Sequence, residues 1–236
     1  MKLLAFDTST ELISIAVTRE VDGVVRVWQH TGAGGAQASS ALIPAIETLM
    51  AEAGLGFEQL DAIAFGRGPG SFTGLRTACA VAQGLAYAAG VPLLPVDTLL
   101  AVAEEARAQQ APQAAQWRVL ALLDARMDEL YGAPYDYAQG RWQQRSDFRL
   151  ARPEQVEARD VEALAGNVFA QYGERLPLPA ALPCWPALPT AAAMLRLAPA
   201  LLADGNAVPA EQALPLYIRD KVALTTEERA AAKASR

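Results

Sequence analysis

Histidine is almost missing from these 236 residues: His30 stands alone. A His-Glu-x-x-His zinc site or any other multi-histidine metal centre is thereby excluded, so no metal is expected. A Ser-His-Asp triad would have to recruit that one residue without a Gly-x-Ser-x-Gly turn to present the serine. Cysteine is nearly as scarce. Cys79 and Cys184, at unrelated spacing, offer neither a disulfide framework nor a cysteine zinc site, and they suit a reduced, cytoplasmic setting. Basic charge is in deficit, with 20 Lys and Arg against 26 Asp and Glu and a net charge of -6. Such a surface is not built to neutralise many phosphates unaided, so a nucleic-acid substrate would need another protein to hold it. Long apolar runs are missing too. The longest, residues 78–94, is broken by Gln83, Gly84 and Pro92, and the opening reaches Asp7 too early for the apolar stretch of an export signal. No membrane association is expected.

What remains is a chain that is 52% hydrophobic, enough for a large α/β core. Residues 2–6, 12–18 and 24–29 read as three strands, the last two joined by an Asp22-Gly23 turn. Leu42, Ile43, Ile46, Leu49, Met50 and Ala53 recur at helical spacing and Gly54 closes that helix. A strand at 61–65, a glycine-rich loop at 66–74, a helix to Ala89 and a strand at 92–96 then alternate as in a parallel α/β layer. The pattern restarts near Trp117. An apolar run ends at Asp124, and strands are expected at 129–137 and 142–148, so that "strand, Asp, three residues, strand, turn, strand" occurs twice and suggests a degenerate duplication. Residues 177–189 carry five prolines and read as loop, 190–202 as helix, and the tail from about 225 as frayed or disordered. Two lobes are expected, residues 1–108 and 109–236, with the join in the polar stretch 109–116.

Three places carry candidate chemistry. Asp7-Thr8-Ser9-Thr10 lies where a strand turns, so that its hydroxyls and amides face either a phosphate with its metal or simply the turn's own backbone. Gly68, Gly70, Ser71 and Gly74 lie between a strand and a helix, where glycines admit an anion to backbone amides or serve tight packing; neither a Walker loop nor a dinucleotide fingerprint is present. The helix from Thr73 to Ala89 is apolar on nearly every side, which fits either a core helix or one with a partner over it. The acidic pairs Glu104-Glu105 and Glu227-Glu228 read as solvated helix faces rather than acid–base machinery.

The loop Gly68-Pro69-Gly70-Ser71-Phe72-Thr73-Gly74-Leu75-Arg76 resembles the signature of the TsaB (YeaZ) family. Leu4-Ala5-Phe6-Asp7-Thr8-Ser9, Leu42-Ile43-Pro44-Ala45-Ile46, Asp124-Ala125-Arg126-Met127 with Tyr131, and Pro215-Leu216-Tyr217-Ile218-Arg219-Asp220 match in order around it. The resemblance implies an α/β, actin-like (ASKHA, ribonuclease H-like) fold with a reduced second lobe, and a paralogous relation to the catalytic subunit TsaD. The histidine positions of TsaD-like proteins fall near Ala38, Thr98 and Val102, none able to bind a metal. The implied role is a non-catalytic subunit that pairs with a TsaD-like protein through Leu42, Ile46, Leu49, Val81 and Leu85 and admits the ATPase TsaE. A homodimer would form when it is alone, and tRNA would be reached only through the complex. No cofactor is required by this chain itself; ATP or ADP belongs to the complex. The competing reading is an actin-like small-molecule phosphotransferase using Asp7 and the glycine loop for ATP, which would need a second phosphate loop that Ala125-Arg126-Met127, lacking hydroxyls, does not supply.

Overall fold

A computed structural model describes residues 1–179 and 181–219. The expectation of a frayed tail from about 225 lies outside those residues, as do Asp220 and the Glu227-Glu228 pair. The first half runs β1 (Leu3–Asp7), β2 (Leu12–Val21), β3 (Val24–Ala33), α1 (Ala38–Ala53), β4 (Ala62–Gly68), α2 (Phe72–Ala89), β5 (Leu93–Asp97) and α3 (Thr98–Gln110). The second runs β6 (Gln116–Asp124), β7 (Leu130–Ala138), β8 (Arg141–Gln144), β9 (Arg149–Ala151), β10 (Ala163–Gly166), the single-turn α4 (Phe169–Tyr172), β11 (Cys184–Pro186) and α5 (Ala191–Ala203).

Each half builds one sheet, and the two have the same plan. The first is ordered β3-β2-β1-β4-β5 and the second β8-β7-β6-β10-β11. In both, the first three strands form an antiparallel meander, and the fourth and fifth lie parallel to the first. The duplication is therefore one of topology. It is not residue for residue: Asp7 shares its strand face with Leu3 and Ala5, which belong to the core between the sheets, whereas Asp124 shares its face with Leu120 and Leu122 of an outer core. An offset of one residue flips every side chain of a strand.

Two strands that complete the second sheet escape sequence periodicity. β10 has four residues and β11 three, the latter inside the proline-rich stretch expected to be loop. The strand expected at 142–148 is the shorter β8, followed by β9 pairing separately with β7.

The layers explain the composition of the helices. α3 and α5 lie between the sheets, in one core that includes Leu99, Val102, Val119, Leu123, Met194 and Leu197. Although α5 follows the second sheet in sequence, it packs across the first, so the chain crosses back after both sheets are made. Glu104 does not lie on a solvated face. It is 3% exposed and accepts hydrogen bonds from Arg107 Nε (2.9 Å), Arg196 Nε (2.9 Å) and Trp142 Nε1 (3.0 Å), tying α3 to α5 and β8. A buried carboxylate is tolerated when its lone pairs are met by charged donors in this way. On the outer face of the first sheet lie α1 and α2, the first ended by Gly54 with φ of 62°, the second by Gly90 with φ of 69°. No described helix is long and apolar enough to cross a membrane.

Candidate functional site

The end of β1 and the glycine loop are sewn together. Asp7 Oδ1 accepts from the amide (2.8 Å) and hydroxyl (2.6 Å) of Ser9, closing the turn on itself. Its Oδ2 is buried, finds no donor among the described residues, and faces Gly66, where a Cβ would come within 1.8 Å of it. Burial pushes the Asp7 carboxyl up to about 6, and the Ser9 hydrogen bonds offset only part of that. Thr8 Oγ1 donates to the Gly74 carbonyl at 2.7 Å, and the Ser71 amide donates to the Ser9 carbonyl at 2.7 Å. A Cβ on Gly74 would lie 1.8 Å from the Thr8 carbonyl oxygen, and one on Gly70 2.6 Å from Ser9 Cβ. The glycines at 70 and 74 are thus accounted for by backbone approach within the protein. Gly68, with φ of 123°, packs on the Leu216 carbonyl, while the Leu216 amide donates to the Arg67 carbonyl at 2.6 Å.

Between the lobes lies a cavity of about 310 Å³. Of the seven residues expected at a nucleotide or anion site, Ser9, Gly70 and Ser71 line it. Asp7, Thr8, Gly68 and Gly74 do not: the Asp7 side chain is turned into the core, towards Gly66 and Met194, and of the two roles left open for the turn its hydrogen bonds serve the turn itself. Across the cavity, Asp124 Oδ1 accepts from the Arg126 amide (2.9 Å) and the Tyr172 hydroxyl (3.1 Å). Arg126, Met127 and Asp128 follow in succession at positive φ, of 61°, 55° and 64°, a tight turn without a hydroxyl. Residues 214–219 strap the two lobes. Tyr217 stacks with Phe72 (5.2 Å between ring centres) and accepts a hydrogen bond from Arg76 Nε at 3.0 Å, and Arg219 pairs with Glu129. The contacts of Tyr217 with Arg76 and of Arg219 with Glu129 span 141 and 90 residues of sequence, which no local pattern reveals.

The expected partner face needs a sharper correction. Leu42, Ile46 and Leu49 are all buried against the first sheet, at 0%, 0% and 4% exposure, because they share the inward stripe of α1. Val81 and Leu85 are half-buried at the edge of the same core. The outer surface of α2 is formed instead by Ala80, Gly84, Tyr87 and Ala88, with Ile43 exposed on α1. Tyr87 is 84% exposed, and a Cβ on Gly84 would meet nothing. Ala38, Thr98 and Val102 are buried on two different helices.

Paired sheets of this order, packed through helices and leaving a cleft between them, define a two-lobed actin-like (ASKHA) protein. Residues 33–234 match the family model described as TsaD: tRNA N6-adenosine threonylcarbamoyltransferase. The tRNA threonylcarbamoyladenosine biosynthesis protein TsaB of Escherichia coli (strain K12) is 33% identical over 94% of this chain and 96% of its own length. That of Haemophilus influenzae is 33% identical over 94% and 95%. The solved structure of YeaZ from Pseudomonas aeruginosa superposes with a TM-score of 0.80 at 39% identity, covering 92% of this chain and 99% of its own. The chain belongs to the TsaB (YeaZ) family.

Proposed function

We propose that this chain serves tRNA threonylcarbamoyladenosine formation as a non-catalytic subunit. It pairs with a TsaD-like catalytic partner and admits a TsaE-like ATPase. In the complex, threonylcarbamoyl passes from its adenylate to N6 of the adenosine 3′ of the anticodon, and tRNA and nucleotide are held by the assembly rather than by this chain. The observation that carries the reading is the outer face of α2. Ala80, Gly84 and Ala88 form an exposed small-residue stripe beside Tyr87, and an exposed glycine in a helix interior costs about 1 kcal/mol relative to alanine without any compensating contact in the monomer. A partner helix approaching closely supplies a reason for it, and in the partner's absence a second copy would meet the same face. Against a phosphotransferase stand the inward-turned Asp7 and the glycine loop already engaged by the β1 turn.

The test is reconstitution of tRNA threonylcarbamoylation with the cognate TsaD-like, TsaE-like and adenylate-forming proteins, with or without this chain. An Ala80→Glu/Gly84→Glu variant alters only exposed positions and is expected to keep the melting temperature while losing both pairing and modification. Full modification without the chain, or with the variant, defeats the proposal. Turnover of ATP by the isolated chain would restore the phosphotransferase reading.

A further inference from the structure

The two sheets finish their outer faces differently. α1 lays Leu42, Ile46, Leu49 and Met50 onto the first sheet. Among the described residues the second sheet has no such helix. Between β8 and β10 the chain forms an arch, residues 145–161, containing only β9 and one 3-10 turn at Pro153–Gln155. Towards the outer sheet face, with its Leu120, Leu122 and Leu130, the arch contributes the small apolar side chains of Ala151, Val156, Ala158 and Val161. These are too small to fill the space. A cavity of about 240 Å³, open to solvent, remains between arch and sheet. For scale, an apolar cavity of about 150 Å³ accepts benzene.

The rim is polar, and its charges do not all cancel. Arg145 is engaged by Asp136 (3.6 Å) and by the Asp160 carbonyl (2.9 Å), and Arg159 lies 3.4 Å from Glu157. Arg149 has no ion-pair or hydrogen-bond partner for its side chain among the described residues, nor has the Ser146 hydroxyl. Gln155 spends its Oε1 on the Arg152 amide (3.1 Å), which leaves its N-H groups. One cation and two neutral donors therefore border an apolar floor, the acids at the same rim being taken up by other arginines.

We propose that this cavity is a binding site for a small amphiphile with one carboxylate. Its apolar body, somewhat larger than benzene, lies on Leu120, Leu122 and Leu130, and the carboxylate takes Arg149 with help from Ser146 and Gln155. The site is formed wholly by the second lobe, on the outer face of its sheet, and does not depend on the pairing proposed for α2.

Amide NMR of the full chain, titrated with cyclohexanecarboxylate and separately with its neutral analogue cyclohexanecarboxamide, tests this. Saturable shifts are expected at Leu122, Gly132 and Val156, with the carboxamide about fivefold weaker. Arg149→Met should reduce carboxylate affinity to that of the carboxamide and leave the carboxamide unchanged, a split that a merely structural arginine would not produce. Ala151→Trp should fill the cavity and abolish both; should that variant fail to fold, Arg149→Met decides alone. No saturable shift at millimolar concentration, shifts confined to α1 and α2, or equal affinity for acid and amide in the wild type would each overturn the proposal.

Discussion

The two halves share a strand order and differ in what covers their outer faces. In the first, α1 closes the sheet with Leu42, Ile46, Leu49 and Met50 and α2 packs beside it through mostly small residues, and α2 still has an apolar side to offer. In the second, the counterpart of α2 is reduced to the single turn α4 and that of α1 to an arch, so the face closes incompletely. A repeated sheet thus supplies the frame, while the crossover segments decide what each half can bind. Sheets of this kind tolerate such divergence because strand pairing is carried by backbone hydrogen bonds, whereas the outer layer needs only enough apolar area to cover them.

The sharpest test of shared framing is a pair of glycines. In Gly74→Ala the new Cβ would lie 1.8 Å from the Thr8 carbonyl, and in Gly166→Ala, at φ of 154°, 1.8 Å from that of Leu122. Both neighbours are backbone and cannot yield cheaply, so each variant should lose more than about 3 kcal/mol in urea unfolding. A loss in only one half would show that the other has relaxed its frame.

Asp7 should give the first half a pH dependence of its own. Asp7 holds its proton up to about 6 when folded, against 3.8 for an ordinary aspartate, so the folded state carries the extra proton between those values. Stability present below about pH 4 is lost as pH rises through about 6. Relative to Asp7→Asn, the wild type should therefore lose roughly 2 kcal/mol between pH 4 and pH 7, measured by denaturant melts across that range. A pH-independent difference would mean that Oδ2 is solvated.

The covering elements should differ in energetic weight. Ile46→Ala in α1 empties a fully buried position and should cost about 3 kcal/mol, whereas Val156→Ala, beside a cavity that already exists, should cost about 1 kcal/mol. Equal costs would contradict the picture of a loosely filled second face. The smallest effect is expected at the outer surface of α2. Gly84→Ala should stabilise the isolated chain by somewhat under 1 kcal/mol, because nothing lies where its Cβ would go.

Much of this was legible without coordinates. The short apolar runs ending at Asp7 and Asp124, the glycine stops at Gly54 and Gly90, and the restart near Trp117 mark strands, helices and a repeat by local chemistry alone. The four-residue β10 and three-residue β11 were not legible, since so few residues show no period and one of the strands is bracketed by prolines. The face of α1 was not legible either: Leu42, Ile46 and Leu49 read equally well as core or as partner surface until a sheet is placed under them.

The sequence by itself determined the element types, the duplication, the scarcity of metal ligands and the family, because these depend on residue identity and on spacing within a few turns. Tertiary structure decided that Asp7 points inward, that Glu104 is buried among arginines, that Tyr217 and Arg219 strap the lobes, and that the second sheet keeps a cavity. Each of these depends on contacts between residues far apart in the chain, and on which of two faces a strand or helix turns to the core, a choice that periodicity describes but cannot make.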